Sequence, residues 1–298
     1  MNQKLYGGVE LGGTKVVCAI GSTPGNILCE TTFPTHFPSE TIPAIIQFFQ
    51  EKQKEYGEIS SLGIACFGPL DLDQRSANYG KITATPKSGW VETDILSPFE
   101  DAFNIPVYLD TDVNGAAIGE WLIGAGRGLD TILYMTVGTG IGVGAILHNK
   151  LFHGENHPEM GHMRVPHDYI QDPFIGICPF HGDCLEGLAS GHAMELRWLT
   201  KAENLPYNHQ AWTLEANYLA YAVTNLILMF SPQRIVLGGG VMHHLGLLKR
   251  VQQQTHKFIN GYNNIDEHKI SKILVEPMLK DRAGVCGALG IAQQVSHS

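Results

Sequence analysis

Two glycine-rich segments place a threonine among bare backbone N–H groups directly after an apolar run. The first is Gly12-Gly13-Thr14-Lys15, preceded by Glu10, and the second is Gly138-Thr139-Gly140. Such turns can hold phosphate oxygens through amide donors, with threonine adding a hydrogen bond and lysine a charge. Each segment alone is more typical of a plain hairpin turn. Because the two turns occupy matching places in two similar stretches of chain, together they favour a phosphate site.

A third glycine segment, Gly238-Gly239-Gly240, follows the apolar run Ile235–Leu237. A helical pattern resumes after it. The end of a strand before a helix is a common place for a bound nucleotide, because backbone N–H groups point outward there.

Asp112 follows the apolar run Pro106–Asp110 and precedes a helix-like segment. This position predicts a carboxylate at the carboxyl end of a strand. Such a carboxylate could accept a proton from a hydroxyl group that attacks a phosphate, the general-base role in kinases. An N-cap aspartate with a solvated neighbour is an equally common reading of an isolated pattern of this kind.

Soft metal ligands are concentrated in one stretch, since seven of the 14 histidines lie between residues 148 and 192. Cys178, His181 and Cys184 are separated by gaps of two residues, short enough for one tight turn to surround a metal. His162 is the leading candidate for a fourth ligand, and spacing also allows His153, His157 or His167. Four protein ligands leave no open position, which predicts structural zinc. Free cysteines beside surface histidines are the alternative.

Composition limits the possible partners and the cellular compartment. The chain has 298 residues and a net charge of −9, with 20 basic residues, 29 acidic residues and no basic run. This argues against nucleic acid, because phosphate neutralisation needs clustered cations. The longest apolar segment, 218–230, is shorter than the ~20 residues of a spanning helix, and the first residues do not resemble a signal peptide. Six scattered cysteines favour a reducing compartment, so we expect a cytoplasmic protein without a membrane partner.

A faint internal repeat organises the chain. Residues 5–28 and 131–151 each read as strand, glycine turn, strand, turn and strand. Helical patterns cover Ile42–Tyr56, Asn114–Gly124 and Thr213–Phe230, the last opened by Thr213 with Glu215 in its first turn. We predict an α/β protein of two lobes, with a small lobe at 1–118 and a large lobe at 119–283 carrying the zinc loop. The segment 284–298, with a helix from about 284 to 295, is expected to rejoin the small lobe.

Several motifs in a fixed order resemble one family. They are Glu10-x-Gly12-Gly13-Thr14-Lys15, the Asp112-x-Asn114-x-Ala116-Ala117 block, Glu159-x-Gly161-His162, the C-x-x-H-x-x-C run and Glu186. This order resembles the ROK sugar kinases over about Leu5 to Ile291. Within that family the segments ITATPKSGW, HPEMGH and CPFHGDCLEGLASG are similar to the bacterial fructokinases. The resemblance implies a two-lobed actin/hexokinase-like, ribonuclease H-like α/β fold with an inter-lobe cleft.

The resemblance also implies a role for each matching residue. Asp112 would be the catalytic base, and magnesium would arrive with ATP. The sugar would contact Gly68, Thr111, Glu159, His162 and Glu186. The phosphate loops would be Gly12, Gly13, Thr14 and Lys15, and Gly138, Thr139 and Gly140. The adenosine part of ATP would contact Ala189, Gly191, Gly238, Gly239 and Gly240. Structural zinc would bind His162, Cys178, His181 and Cys184.

The activity implied is ATP-dependent phosphorylation of D-fructose at its 6-hydroxyl group. A glucokinase or mannokinase of the same family, or a sugar-sensing protein without turnover, are the alternatives. The partners expected are D-fructose and ATP, in a homodimer. Three residues depart from the usual family pattern: Glu10 replaces an aspartate, Thr111 an asparagine and His181 a cysteine. No helix-turn-helix segment precedes Leu5, so the repressor branch of the family is not expected.

Overall fold

The computed structural model describes residues 4–293, which form a mixture of strands and helices. The strands are β1 (Leu5–Leu11), β2 (Lys15–Thr23), β3 (Asn26–Pro34), β4 (Ile59–Cys66), β5 (Val107–Thr111), β6 (Ile132–Val137), β7 (Ile141–Leu147), β8 (Lys150–Leu151), β9 (Arg234–Gly238) and β10 (Leu274–Val275). The helices are α1 (Pro38–Tyr56), α2 (Ser97–Phe103), α3 (Asp112–Ile123), α4 (Leu185–Ala189), α5 (Gly191–Trp198), α6 (Ala211–Phe230), α7 (Leu247–Ile259), α8 (Glu267–Ile273) and α9 (Ala283–Ala292). None of the helices within the described residues is long and apolar enough to cross a bilayer.

The chain divides into two compact units. Unit 1 comprises the described residues of Met1–Gly128, Gly144–Pro158 and Asp281–Ser298, and unit 2 comprises Leu129–Val143 and Glu159–Lys280. The boundary expected near residue 118 would cut α3. The observed division falls after Gly128 instead, because α3 is a continuous helix that packs along its length in unit 1.

The sheet of unit 1 has five strands in the order β3-β2-β1-β4-β5. The first three strands form an antiparallel meander, as the strand–turn–strand pattern of the sequence predicts. β4 and β5 run parallel to β1. Parallel strands are covered on both faces, which is why β4 reads as a nearly continuous apolar run.

Glycines bring α3 and α9 together backbone to backbone. A Cβ on Gly287 of α9 would overlap the carbonyl of Gly115, and a Cβ on Gly119 of α3 would overlap the carbonyl of Ala283. α9 also lies directly on β4, where a Cβ on Gly63 would overlap a carbonyl of the helix. α9 therefore forms part of unit 1. The helix expected to reach residue 295 ends at Ala292. Residues 294–298 of the segment expected to rejoin the small lobe lie outside the described residues.

The opposite side of the unit 1 sheet carries the main apolar core. Phe49 of α1, Phe99 of α2 and Trp90 are fully buried there. The indole N–H of Trp90 donates to the carbonyl of His36 at 2.9 Å, so the ring buries its area without leaving a donor unpaired. This core fixes the strands whose carboxyl ends carry the candidate site.

The second sheet has the order β10-β9-β6-β7-β8, with β6, β9 and β10 parallel. The chain passes from unit 2 to unit 1 within β7, at Gly144. Helix α6 begins at Ala211, two residues before the expected start at Thr213. Glu215, expected in a first helical turn, is buried and lies in the second turn, because the chain before it folds over Trp212 and accepts the indole N–H at Pro206.

Candidate active site

Three adjacent parallel strands of unit 1 end level with one another. The register pairs Leu11 of β1 with Cys66 of β4, and Cys66 with Thr111 of β5. The residues that follow, including Gly12, Gly68 and Asp112, therefore lie along one edge of the sheet. The carboxyl edge of parallel strands is where α/β proteins bind ligands, because the turns there expose backbone groups and side chains together.

Asp112 is the first residue of α3 and lies at this edge. The N-cap is Thr111, whose Oγ1 accepts the N–H of Asn114 at 3.2 Å, so the alternative of Asp112 as the cap is wrong. Burial raises the pKa of Asp112 to about 6, while a hydrogen bond from the N–H of Val113 lowers it. A carboxyl group with a pKa just below neutrality suits a general base.

Glu10 is a second buried carboxyl group beside Asp112. Burial raises the pKa of Glu10 to about 7, the charge of Lys15 lowers it and the charge of Asp112 raises it. Its Oε2 is buried without a hydrogen-bond partner among the described residues, and a Cβ on Gly284 would overlap its carboxyl group. Carboxylate oxygens are the ligands that Mg²⁺ prefers, so this unpartnered oxygen fits the magnesium that accompanies ATP.

The first glycine loop, Gly12–Lys15, is held by hydrogen bonds from Thr35, and its backbone is open at Gly13. Thr35 donates its hydroxyl to the carbonyl of Gly12 at 2.7 Å and its N–H to the carbonyl of Thr14 at 2.9 Å. No heavy atom lies within 4 Å of where a Cβ of Gly13 would stand. The backbone at Gly13 can therefore approach a ligand closely.

Lys87 adds a cation to this loop that the sequence reasoning missed. Its Nζ donates to the carbonyl of Gly13 at 2.5 Å. Lys87 belongs to the ITATPKSGW segment, which the sequence analysis relates to the fructokinases without giving Lys87 a role. Lys87 lies more than 70 residues after the loop in the chain, so no local sequence pattern indicates the contact.

The second glycine loop belongs to unit 2 and is held by Glu186. The Oε2 of Glu186 accepts the N–H of Ile141 at 2.9 Å, and a Cβ on Gly140 would lie 2.6 Å from the same oxygen. The N–H of Gly191 donates to the carbonyl of Gly138 at 2.7 Å, which joins the start of α5 to the loop. The structure thus brings Gly138–Gly140, Glu186 and Gly191 together.

The third glycine loop meets the second within unit 2. Gly239 has a φ of 92°, and a Cβ there would overlap the backbone of Val137, the residue before the second loop. Only glycine fits this close approach. Gly240 is open, with no heavy atom within 4 Å of a Cβ position. Ala189 is buried at the end of α4, two residues before Gly191.

Four potential metal ligands of unit 2 converge on one point. The ligand atoms of His162, Cys178, His181 and Cys184 all lie within 4.8 Å of one another. The Nδ1 of His162 lies 3.4 Å from the sulfur of Cys184 and 3.6 Å from that of Cys178. The Nδ1 of His181 lies 3.5 Å from the sulfur of Cys178. Tetrahedral zinc, with Zn–N near 2.0 Å and Zn–S near 2.3 Å, separates N and S ligands by about 3.6 Å, so the four residues fit that ion.

The other histidines that spacing allowed as the fourth ligand lie elsewhere. His153 and His157 contact the Asp110 region of unit 1. His167 lies between Asp183 and Asp172 in unit 2. Gly161 explains why His162 reaches the cluster, because a Cβ at Gly161 would overlap the carbonyl of Ile141 and hold this 3₁₀ turn away.

His162 and Glu186 connect the ligand cluster to the second loop. The Nδ1 of His162 faces the two thiols, and its Nε2 lies 3.9 Å from Oε1 of Glu186. A metal on Nδ1 would leave the proton on Nε2, the nitrogen that lies nearer to that carboxylate. Within unit 2, Glu159 directly precedes the turn that carries His162.

A cluster of polar side chains next to Asp112 was not predicted. Asp110 and Asn114 flank Asp112 along the chain, and their side chains hydrogen-bond to each other at 2.7 Å. His153 lies 3.0 Å from Asp110, and His157 lies 3.2 Å from Asn114. The sequence shows both histidines, but only as metal-ligand candidates, because nothing in their spacing indicates the contact with β5.

Comparisons with known proteins agree with this geometry. The ROK family model matches residues 6–295. The fructokinase of Zymomonas mobilis is 44% identical over 98% of this chain and 97% of its own length. The fructokinase of Streptococcus mutans is 38% identical, covering 98% of this chain and 99% of its own.

A solved structure shows the same fold. The ROK family glucokinase from Streptomyces griseus, in complex with glucose and AMPPNP, superposes with a TM-score of 0.79 at 25% identity, covering 97% of this chain and 99% of that one. The expected two-lobed α/β, actin/hexokinase-like fold class is therefore confirmed. The family match spans both units and all of the glycine loops. This chain belongs to the ROK family.

Proposed function

We propose that this protein is an ATP-dependent fructokinase that transfers the γ-phosphoryl group of ATP to the 6-hydroxyl group of D-fructose. The choice of D-fructose as substrate rests on relatives named fructokinase, which match this chain at 37–44% identity over nearly its whole length. The observation that supports the chemistry is Asp112, a carboxyl group with a pKa of about 6 at the end of β5.

In the proposed step the 6-hydroxyl oxygen forms a bond to the γ-phosphorus of ATP. The bond between that phosphorus and the β–γ bridging oxygen breaks, and the electron pair leaves with ADP. The hydroxyl proton passes to the carboxylate of Asp112. Asp112 is mostly deprotonated at neutral pH because its pKa of about 6 lies below 7. Most of the rate enhancement in phosphoryl transfer comes from positioning and from stabilisation of charge.

The remaining assignments follow the motifs of the family. Gly12–Lys15 and Gly138–Gly140 bind phosphates, and Ala189, Gly191 and Gly238–Gly240 bind adenosine. Gly68, Thr111, Glu159, His162 and Glu186 surround the sugar. The open backbone positions at Gly13 and Gly240 support the nucleotide assignments, since close approach of a ligand needs a missing side chain.

Two metals belong to the proposal. Magnesium accompanies ATP, and the unpartnered oxygen of Glu10 would hold it or its water. It would neutralise charge on the phosphates. Zinc would bind His162, Cys178, His181 and Cys184 as a closed structural site. Such a site would stabilise the fold and hold His162 beside Glu186, whose Oε1 lies 3.9 Å from Nε2 of His162.

We also propose a cytoplasmic location and a homodimer. All six cysteines are free, which suits a reducing compartment. The homodimer rests on the family resemblance alone.

The decisive experiment is a panel of free hexoses with ATP and magnesium, in which ADP release and sugar phosphate are both measured. The proposal predicts the highest kcat/KM with D-fructose and a product phosphorylated at the 6-position. A higher value with glucose or mannose would replace the substrate and keep the reaction. Hexose binding without any ADP release would contradict an enzymatic role.

A further inference from the structure

We propose that Asp110 and His153 form a positioning pair that holds the catalytic base Asp112 in place. The inference deepens the proposed function, on which it rests for the role of Asp112. Neither residue belongs to the glycine loops or to the sugar residues assigned above. The pair is defined by hydrogen bonds that converge on the junction between β5 and α3.

The first oxygen of Asp110 secures the chain on both sides of Asp112. Oδ1 accepts the N–H of Thr111 at 2.7 Å and the side-chain N–H of Asn114 at 2.7 Å. Asp110 itself is only 4% exposed, and Asn114 is fully buried. Hydrogen bonds to a buried carboxylate are charge-assisted and hardly exchanged with water, so they restrict the backbone on either side of the base.

The second oxygen of Asp110 is held by His153, which lies more than 40 residues away in the chain. The Nε2 of His153 lies 3.0 Å from Oδ2 of Asp110. A carboxylate only accepts hydrogen bonds, so Nε2 must carry the proton. Burial lowers the pKa of His153, but the hydrogen bond and charge of Asp110 outweigh burial and raise it. The hydrogen bond and the charge of Asp110 thus both favour the protonated form of His153.

Asn114 completes the arrangement from the helix side. Its amide nitrogen has two hydrogens, one directed at Asp110 and the other at Nδ1 of His157, 3.2 Å away. Burial lowers the pKa of His157 to about 4, so its imidazole is neutral and Nδ1 can accept. On its other side the amide of Asn114 packs against Gly144, where a Cβ would lie 2.8 Å from Oδ1 of Asn114. The amide nitrogen also lies 3.4 Å from Nε2 of His153, and Oδ1 of Asn114 has no hydrogen-bond partner among the described residues, so Asn114 holds this group through its nitrogen.

We expect the Asp110–His153 pair to stabilise the transition state rather than to strengthen the binding of ATP or hexose. A base must stand within hydrogen-bond reach of the attacking hydroxyl group, and a displacement of about 1 Å can cost about 10²-fold in rate. Loss of the His153 contact would let Asp112 move, while Thr111 keeps its hydrogen bond to Oδ1 of Asp110 and every group assigned to ATP or sugar stays present. Its loss should therefore lower kcat and leave both KM values nearly unchanged.

The test compares His153→Leu, which removes the donor to Asp110, with His153→Gln, whose amide keeps a donor at the position of Nε2. Kinetics use whichever hexose the wild type phosphorylates fastest, so a wrong sugar assignment does not affect the result. His153→Leu should lower kcat by about 10- to 100-fold with both KM values within about twofold, and His153→Gln should recover most of kcat. His36→Leu is the matched control, because His36 is an exposed histidine of the same unit that bonds through its backbone.

A double-mutant cycle separates positioning from a merely structural role. In an Asp112→Asn background, His153→Leu should change the residual kcat by less than about twofold, because there is no base left to position. A full additive loss in that background would overturn the proposal. An unchanged kcat in His153→Leu with a lowered Tm would also overturn it. Should the leucine variant fail to fold, His153→Asn, whose shorter amide does not reach Asp110, replaces it against His153→Gln.

Discussion

At the scale of single residues, the candidate site depends on two carboxyl groups whose pKa is raised by burial, and the charge of Asp112 raises that of Glu10 further. Glu10 has a pKa of about 7 and Asp112 a pKa of about 6, and burial is the largest cause in both. Paired acids with different environments commonly divide the work, one holding a proton or a cation while the other acts as base. The lower pKa and the position at the end of β5 make Asp112 the better base.

Asp112→Asn should fold and bind hexose and ATP, because the amide has the same shape and Thr111 still caps α3. It should lose kcat by about 10² to 10⁴, the contribution typical of a general base. Initial rates together with hexose and nucleotide binding by calorimetry check this. Near-normal kcat would mean that another group accepts the proton.

The pH dependence of kcat/KM should have an acid limb near pH 6. Only deprotonated Asp112 accepts a proton, and its pKa is raised by burial to about 6, so activity should fall as the pH drops through that value and level off above it. The measurement is kcat/KM from about pH 3.5 to pH 8, because kcat/KM reports the pKa values of the free enzyme. An acid limb near pH 4, the ordinary range of an aspartate, would exclude this residue.

At the scale of elements, α3 can present Asp112 only because glycines let α9 lie against it. Gly115 and Gly119 of α3 and Gly287 of α9 remove the side chains that would separate the two backbones. The same contact ties the start of α9 to Glu10, where Gly284 leaves room for the carboxyl group. Helix packing and site geometry are therefore coupled through small residues.

Gly119→Ala should destabilise the protein without touching any proposed ligand contact. The added Cβ overlaps the carbonyl of Ala283, a backbone atom that cannot rotate away, so the free energy of unfolding should fall by about 1–3 kcal/mol. Urea unfolding of the variant measures this. Gly25→Ala is the matched control, because a Cβ there meets only ordinary contacts at 3.8 Å. Equal stability of the two variants would contradict the close packing of α3 and α9.

The ligand cluster also belongs to this scale, since it joins the turn of His162 to the start of α4. Purified protein should contain about one zinc per chain, and Cys184→Ser should lose it. Removal of the metal should lower Tm and weaken hexose binding, because His162, assigned to both the metal and the sugar, would no longer be held in place. Elemental analysis and thermal unfolding with and without chelator test this, with Cys29→Ser as a control cysteine outside the cluster. A metal-free protein with full activity and Tm would contradict the site.

At the scale of the whole molecule, the described residues form two five-stranded sheets, and each sheet contains a pair of neighbouring strands joined by a glycine turn. The turns lie at Gly12–Lys15 in unit 1 and at Gly138–Gly140 in unit 2. The faint internal repeat of the sequence thus corresponds to a repeated architecture. Such a repeat explains why two similar glycine loops occur in one chain.

The homodimer is a prediction about the whole molecule. Light scattering after gel filtration should give twice the chain mass of 32.6 kDa. Because dissociation is favoured by dilution, the mass should be measured over a range of concentrations down to the nanomolar conditions of the assays. A mass equal to one chain throughout would contradict the prediction.

The sequence by itself determined the parts that depend on short stretches of chain. The meander of β1–β3, the glycine turns, the strand before Asp112 and the ligands Cys178, His181 and Cys184 are all local patterns. Strand propensity, backbone freedom at glycine and ligand spacing act within a few residues, so they can be read directly. The predicted start of α6 was less accurate. The helix begins at Ala211, two residues before the expected Thr213, and so includes the buried Trp212.

Only the tertiary structure decided which distant side chains meet. It placed His162 among the cysteines, His153 on Asp110, Lys87 on the first loop, and residues 144–158 in unit 1. Each of these contacts joins residues from separate stretches of the chain. No local pattern encodes such a contact, because it follows from how the whole chain packs.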